Sequence, residues 1–521
     1  MNFRVRLRTG RHPRAAVMRR WLPVLGALLT VACGRQTVST AGAGAQAGGA
    51  GASAAAIRVP GADWPEFDYN AARSGVGPGD TGIDAGSAGA LRLRRVTIDG
   101  IADSSAVELH AAMVNGAAHD VAVLTTTYGK TIAIDVRSGR RLWEFDPTGV
   151  DNTPGNPQVT TAGPALDPGR RFVYSASPNG VIHKLAVATG RPVWARSITT
   201  DPEHEKLASA LNVSGAWVVA VTGGYIGDIP PYDGHVVTID RGSGRIVHVF
   251  NSECSDRRGV IAAGSCAVTN TNGDNAIWGR AGAVIEPGSG RILVATGNGP
   301  FDGHANWGDS VLELSADAGR LLHNWTPPNQ AQLDRSDTDV GSTSPALLPT
   351  YHGLRLAVQG GKDGKLHLLN LARLDGSPGG AGPRLGGELG EVSAPGGGEV
   401  FTAPAVWSHG GRVYVFVATD SGSGAYQLVG GPHPALKAAW MSGSAATSPV
   451  LAGGLLYLYD EDAGQLIIRR PVGGGVVRSL PVAAGHWNSP IVAGGRIILP
   501  TGSYHDNSAS STVDIYHLPG R

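Results

Sequence analysis

From residue 88 onward, apolar positions fall in short alternating runs separated by glycine-rich turns. One unit is clear at 121–146, VAVLTTTYGKTIAIDVRSGRRLWEFD. It holds an apolar run, a Gly turn, a second run ending in Asp135, a Ser-Gly turn and then Arg-Leu-Trp. The next copy is 172–195, FVYSASPNGVIHKLAVATGRPVWA, and weaker copies occupy 217–250 and 292–325. Later copies begin near Leu356, Val413, Leu455 and Ile497. Alternation of this period between turn residues predicts half-buried antiparallel strands.

A segment of small residues precedes each copy. These segments start at Leu109, Thr161, Ala210, Gly279, Thr343, Thr402, Thr447 and Asn488. Small residues suit the innermost strand of a propeller blade, where blades crowd an axis. The spacing fits four-stranded blades. The expected fold is therefore all-β, an eight-bladed β-propeller over 61–521, with seven blades if Ala210–Val249 is irregular. The last unit, 488–518, has only three runs, and Leu91–Ile98 is a lone strand without a blade. Together they predict a ring closed by an N-terminal strand, which removes free sheet edges.

Composition changes this picture at the N-terminus. Length alone, 521 residues, suggests three or four domains, but the repeat makes one ring of most of it. The 77 glycines are roughly twice ordinary usage and divide between blade turns and residues 34–60, which are almost all Ala, Gly, Ser, Thr and Gln. That segment cannot bury enough apolar surface to fold and reads as a tether with a reach of roughly 30 Å. Before it, residues 1–32 carry a basic stretch and a short apolar run, the pattern of an export signal. The ending Leu29-Thr30-Val31-Ala32-Cys33 resembles a bacterial lipobox, which implies lipidation of Cys33 and a membrane tether; simple secretion and an uncleaved anchor are the alternatives. The formal charge of +1 rests on 43 basic against 42 acidic residues; without the seven arginines of 1–32 it becomes 36 against 42, a net −6. A mildly acidic surface argues against nucleic acid as partner. Three cysteines exclude a disulfide-dense scaffold and a four-thiolate zinc site. Cys254 and Cys266, outside the cytoplasm, are expected to form a disulfide.

The unit G-x-(strand)-D-x-x-(S/T)-G-x-x-x-W resembles the pyrroloquinoline-quinone (PQQ) repeat, in which the Trp docks one blade onto the next. Asp63-Trp-Pro-Glu-Phe-Asp-Tyr-Asn-Ala-Ala-Arg-Ser-Gly75 looks like that family's lead-in. The family includes quinoprotein dehydrogenases and non-enzymatic assembly scaffolds, so the fold alone does not select a function.

The resemblance implies a site near the axis. Trp278 matches the tryptophan that floors the quinone, and Asn298 matches an amide calcium ligand. Ser336-Asp337-Thr338-Asp339-Val340-Gly341 falls where the catalytic aspartate belongs; Asp339, nearer the next inner strand, is preferred as proton acceptor and metal ligand, with Asp337 beside the cofactor. Lys362 of Gly361-Lys362-Asp363-Gly364 matches the basic residue that contacts the quinone. Each has a structural reading too: Trp278 as a blade dock, Gly297-Asn298-Gly299 and Lys362-Asp363-Gly364 as turns, and the aspartates as caps or holders of a structural cation. Tyr225 stands where the family's glutamate calcium ligand should be, and Asp228 is out of register. Fewer carboxylates mean weaker calcium binding. No adjacent cysteine pair and no C-x-x-C-H haem motif occurs.

Asp228, Tyr232, Phe301, His304, Trp307 and Trp325 lie in interblade loops and are expected to form a polar-aromatic binding face. The 16 histidines show no recurring metal spacing. Two functions fit: an extracytoplasmic, membrane-tethered propeller that binds a small molecule or protein partner through its face loops, with an incomplete cofactor pocket; or an alcohol or polyol dehydrogenase dependent on PQQ and calcium. A glycosidase or lyase is the remaining class.

Overall fold

In the computed structural model, which describes residues 63–225, 229–266, 275–375, 385–505 and 508–520, the alternating runs become strands. Val107–Val114, Ala117–Thr125, Thr131–Asp135 and Arg141–Phe145 pair antiparallel in that order and make blade 1. Its third strand is continuously apolar or small because it is buried along its whole length. Its outermost strand buries only Trp143 fully. The turn between these two strands is set by its own side chains. Asp135 accepts the Ser138 N–H at 2.7 Å and the Ser138 hydroxyl at 2.9 Å. Gly139 then takes φ +76°, a left-handed geometry that costs other residues about 1–2 kcal/mol. The same bonds recur between Asp240 and Ser243.

Blades 2 to 7 repeat the plan. Blade 2 runs from Ala165–Leu166 to Pro192–Ser197, blade 3 from Asn212–Ser214 to Ile246–Asn251, and blade 4 from Val284–Ile285 to Leu321–Trp325. Blade 5 runs from Ala346–Leu347 to Gly390–Ser393, blade 6 from Ala405–His409 to Ala435–Ser442, and blade 7 from Val450–Ala452 to Val476–Pro481. Blade 8 joins Ile491–Ala493, Arg496–Thr501 and Ser510–His517 to Arg92–Asp99, registered from Arg92 opposite His517 to Asp99 opposite Ser510. The ring is thus an eight-bladed, all-β propeller closed by an N-terminal strand. The seven-blade alternative fails because Ala210–Val249 builds a regular blade 3. First strands of neighbouring blades touch, as Ala165–Leu166 does Asn212–Ser214 and Val450–Ala452 does Ile491–Ala493. They therefore line the axis.

The repeated tryptophans do what their spacing predicts. Trp143 donates its indole N–H to Val187 O of blade 2 at 2.7 Å and lies on Gly190, where a Cβ would come within 2.6 Å of the ring. Trp194 does the same to Arg241 O and Gly244 of blade 3, and Trp440 to Pro471 O and Gly474 of blade 7. A glycine in the receiving turn is needed for this close approach.

The lead-in laces one end of the ring. Trp64 pairs with Glu108 of blade 1, Pro65 O accepts Leu166 N of blade 2, and Ala71 O accepts Ile285 N of blade 4. Gly75 O accepts Leu451 N of blade 7. Buried Arg73 ties it to blade 3 through Leu211 O at 2.8 Å and is paired with Glu66 at 3.3 Å. Cys254 and Cys266 form a disulfide with a Cα–Cα distance of 6.1 Å. No helix among the described residues is long and apolar enough to cross a membrane. The signal, the tether, Cys33 and Asp228 lie outside the described residues.

Candidate functional site

Around the axis, segments that lead into the inner strands bring together residues far apart in sequence. Trp278 stands at the centre. Its ring centroid is 6.1 Å from that of Phe401 and 6.5 Å from that of Trp487. The Lys362 ammonium lies 5.6 Å from the Trp278 centroid, inside cation–π range. Lys362 bonds Asp337 Oδ1 at 2.8 Å and is also ion-paired to Asp339 Oδ2. Burial by itself would lower the Lys362 pKa, but Asp339 and Asp337 reverse that and push it up. Lys362 is a permanent cation here.

Asp339 is held from behind. Its Oδ1 accepts the Asn298 N–H at 2.7 Å. Gly297 makes this possible, since a Cβ there would sit 2.4 Å from Asp339 Oδ1 and 3.0 Å from Trp278 Nε1. Asp339 is buried while the Asp337 side chain is 66% exposed, so the two aspartates differ in kind. Asn298 Nδ2 reaches Asp337 Oδ1 at 3.4 Å, whereas Asn298 Oδ1 is buried with no hydrogen-bond partner. An orphaned buried carbonyl oxygen beside a carboxylate is what a cation would satisfy. Asp309 lies behind, accepting Val340 N at 3.1 Å. Burial first, and Asp339 second, raise its carboxyl well above the usual range.

The opposite wall was not foreseen from the sequence. Arg280 is fully buried on the axis and donates to Ala208 O at 2.8 Å, Asp103 O at 3.0 Å, Trp487 O at 3.1 Å and Thr161 O. Asp103 in turn accepts Trp487 N at 2.7 Å, Tyr504 N at 2.9 Å and bonds His486 Nδ1 at 2.9 Å. Lys206 lies 5.0 Å from the Tyr504 centroid, and burial lowers its pKa to about 8 against the pull of Asp103. His486 Nε2 and Trp487 Nε1 are buried without hydrogen-bond partners. Two signals in the sequence point here: a single charge, Arg280, inside a small-residue segment, and His486-Trp487 directly before another.

The other expectations fare unevenly. Tyr225 does not face the axis as a ligand would; its hydroxyl donates to Pro202 O at 3.1 Å. The aromatic face is corrected: Tyr232, Trp307 and Trp325 are buried, and Trp325 packs on His367 and donates to Glu388 at 2.9 Å. Trp325 lies two residues beyond the Trp143-equivalent position, which His323 holds, and packs against blade 5, so burial won over loop exposure. Some histidines are buried. His235 is buried against Glu205 and Asp233, and these three side chains form a cluster able to hold a metal ion.

Comparison with known proteins agrees with this architecture. A family model described as "Outer membrane protein assembly factor BamB" matches residues 128–313. The quinoprotein alcohol dehydrogenase PedH of Pseudomonas putida is 25% identical over 224 residues, covering 39% of this chain and 36% of the relative. Over residues 128–313 the chain is similar to the PQQ-like propeller family. The match spans about a third of that relative's length. The crystal structure of quinohemoprotein alcohol dehydrogenase from Comamonas testosteroni shares the fold at TM-score 0.63, with 17% identity over 88% of this chain and 81% of that one. A europium-containing methanol dehydrogenase does so at 0.64, with 14% identity over 88% and 99%. The propeller thus carries a partial metal- or cofactor-like cluster, formed by Glu205, Asp233 and His235.

The donors present fit the two expected groups differently. For a planar, acidic quinone there is an indole floor at Trp278 and positive charge at Lys362, Arg280 and Lys206. For calcium the described residues offer Asn298 Oδ1, the Asp339 carboxylate and the largely exposed Asp337, while the Tyr225 hydroxyl bonds Pro202 O. Calcium takes six to eight oxygens, so this donor set is incomplete and no chemical step is assigned to that ion.

Proposed function

We propose that the axial site binds a PQQ-type quinone and oxidises an alcohol. The convergence of Trp278, Asn298, Asp339 and Lys362 on the axis carries this reading. A quinone held there would supply an acceptor for the two electrons and the proton (a hydride equivalent) leaving the alcohol carbon. Trp278 offers a flat apolar face for the ring. Lys362 sets a fixed positive charge at that face. Asp339, buried and anchored by the Asn298 N–H, takes the proton of the substrate hydroxyl. Arg280 and Lys206 favour acidic groups on whatever occupies the axis, and Phe401 and Trp487 exclude water from its flank. This reverses the order of the two sequence-based readings, because the axial residues assemble and the aromatic face does not.

One observation favours the second reading, a propeller that binds a small molecule or protein partner without turnover: Tyr225 replaces a calcium ligand and points elsewhere. The test is dye-linked turnover of an alcohol panel by the quinone-loaded protein, with and without calcium. The proposal expects turnover that falls by about 10²–10⁴ in Asp339→Asn. Quinone binding with no turnover on any alcohol supports the second reading instead. An extracytoplasmic site of action is consistent with the export pattern and the disulfide, and we extend the proposal to a lipid anchor at Cys33. An unmodified Cys33 in a mass spectrum of the mature protein would refute the anchor.

A further inference from the structure

Between blades 2 and 3, two chain segments bring a glutamate, an aspartate and a histidine together. Glu205-Lys206 pairs with Gly223-Gly224 in a small two-stranded sheet; His235 opens the third strand of blade 3 and Asp233 lies two residues before it. One ligand atom from each of Glu205, Asp233 and His235 lies within 4.8 Å of the others. His235 Nε2 is 3.3 Å from Glu205 Oε1. The Asp233 N–H donates to that same oxygen at 3.2 Å, and the Thr199 hydroxyl donates to Glu205 Oε2. All three residues are at most 1% exposed.

The second observation is His235 itself. It is fully buried, its Nε2 is aimed at Glu205, and neither ring nitrogen makes a hydrogen bond. Buried polar groups rarely go unsatisfied. Among the described residues, Glu205 has no Lys or Arg within ion-pair distance; its ion-pair partner is His235. Burying a carboxylate without a compensating cation is costly. A cation at the centre of the three groups would satisfy the imidazole and the carboxylates together.

We propose that Glu205, Asp233 and His235 bind a divalent transition-metal ion of the zinc or manganese class. One imidazole with two carboxylates suits such ions, whereas calcium prefers an all-oxygen shell. Strand alternation gives the site a consequence for the axis. Glu205 and Lys206 are successive strand residues, so their side chains leave on opposite faces. An ion gripping Glu205 fixes the backbone from which Lys206 reaches the axial wall. The metal is a brace, not a reactant.

The test uses the full mature chain, stripped with chelator and reloaded separately with Zn²⁺, Mn²⁺ and Ca²⁺. Bound metal is measured by mass spectrometry of the elements and the thermal midpoint by tryptophan fluorescence. The expected result is one equivalent of Zn²⁺ or Mn²⁺, a raised midpoint, and loss of both in His235→Ala. Asp233→Asn, nearly isosteric, gives a second variant should the first fold poorly. Asn298→Ala should keep the ion, which separates this site from any axial metal. No bound Zn²⁺ or Mn²⁺, or an ion retained in both His235→Ala and Asp233→Asn, would overturn the proposal. So would an ion lost in Asn298→Ala alone.

Discussion

Arg280 offers the sharpest test of how the ring is held at its centre. Its guanidinium donates to carbonyls of segments leading into blades 1, 2, 3 and 8, while its own backbone leads into blade 4. Burial lowers its pKa to about 10 even with Asp103 and Asp68 opposing, an environment that disfavours the charge by about 3 kcal/mol. Five charge-assisted hydrogen bonds, each contributing about 1.5–3 kcal/mol, outweigh that. Arg280→Met keeps the length and removes every donor. It removes a charged donor from four buried carbonyls, of which Ala208 O keeps the Thr161 hydroxyl at 3.0 Å, so the expected loss is about 3–5 kcal/mol, the range for breaking a buried charged network. Arg280→Lys keeps the charge, but its donors radiate from one nitrogen and cannot reach four separate segments. It should recover less than half of the loss. Urea unfolding at pH 7, followed by tryptophan fluorescence, measures both. If Arg280→Met lay within about 1 kcal/mol of the parent, the axis would be held by something other than this side chain.

Three further outcomes test other parts of the fold. Burial raises the Glu108 pKa to about 8 against Arg496, with Asp120 and Asp63 adding to the rise. The fold therefore keeps a proton that the unfolded chain releases above its ordinary pKa, and stability falls as pH climbs towards 8, by roughly 3 kcal/mol up to pH 7. Glu108→Gln should flatten that slope, and parallel curves for parent and variant between pH 5 and 8 would contradict it. Gly190 has φ +71° and faces the Trp143 ring at 2.6 Å, so Gly190→Ala combines left-handed strain with a clash and should cost at least about 2 kcal/mol in urea unfolding. Replacing Cys254 and Cys266 by serine should lower stability by about 3 kcal/mol in the chain-entropy account of a 12-residue loop; an unchanged midpoint would argue that the bridge adds nothing.

The ring was legible in the sequence because its signals are local. Asp135, Ser138 and Gly139 write their own turn, and the Trp143 position repeats at fixed distance from it. Strand 92–99 was legible by default, as the one strand without a blade when the last unit lacked one. The lacing of 63–77 across the ring was not, since its partners at 108, 166, 285 and 451 share no pattern with it. At the site, Trp278, Asn298, Asp337, Asp339 and Lys362 were found through resemblance to a known family, and the structure brings them together. Arg280, Asp103, Lys206 and His486 were missed because each is a single polar residue whose role exists only where blade ends converge. His235 escaped for the same reason: strand pairing, not spacing, sets it against Glu205, 30 residues earlier. The aromatic face failed because loop position was taken for exposure, and Trp325 packs against blade 5.

The central claim is that the axis binds a planar, acidic quinone on Trp278. The most direct measurement is titration of the mature protein with PQQ, following tryptophan quenching and quinone absorbance, in parent, Trp278→Ala and Lys362→Ala. The account predicts saturable one-to-one binding at micromolar quinone that weakens in both variants. Absence of saturable binding in the parent, or binding untouched by either substitution, would contradict it.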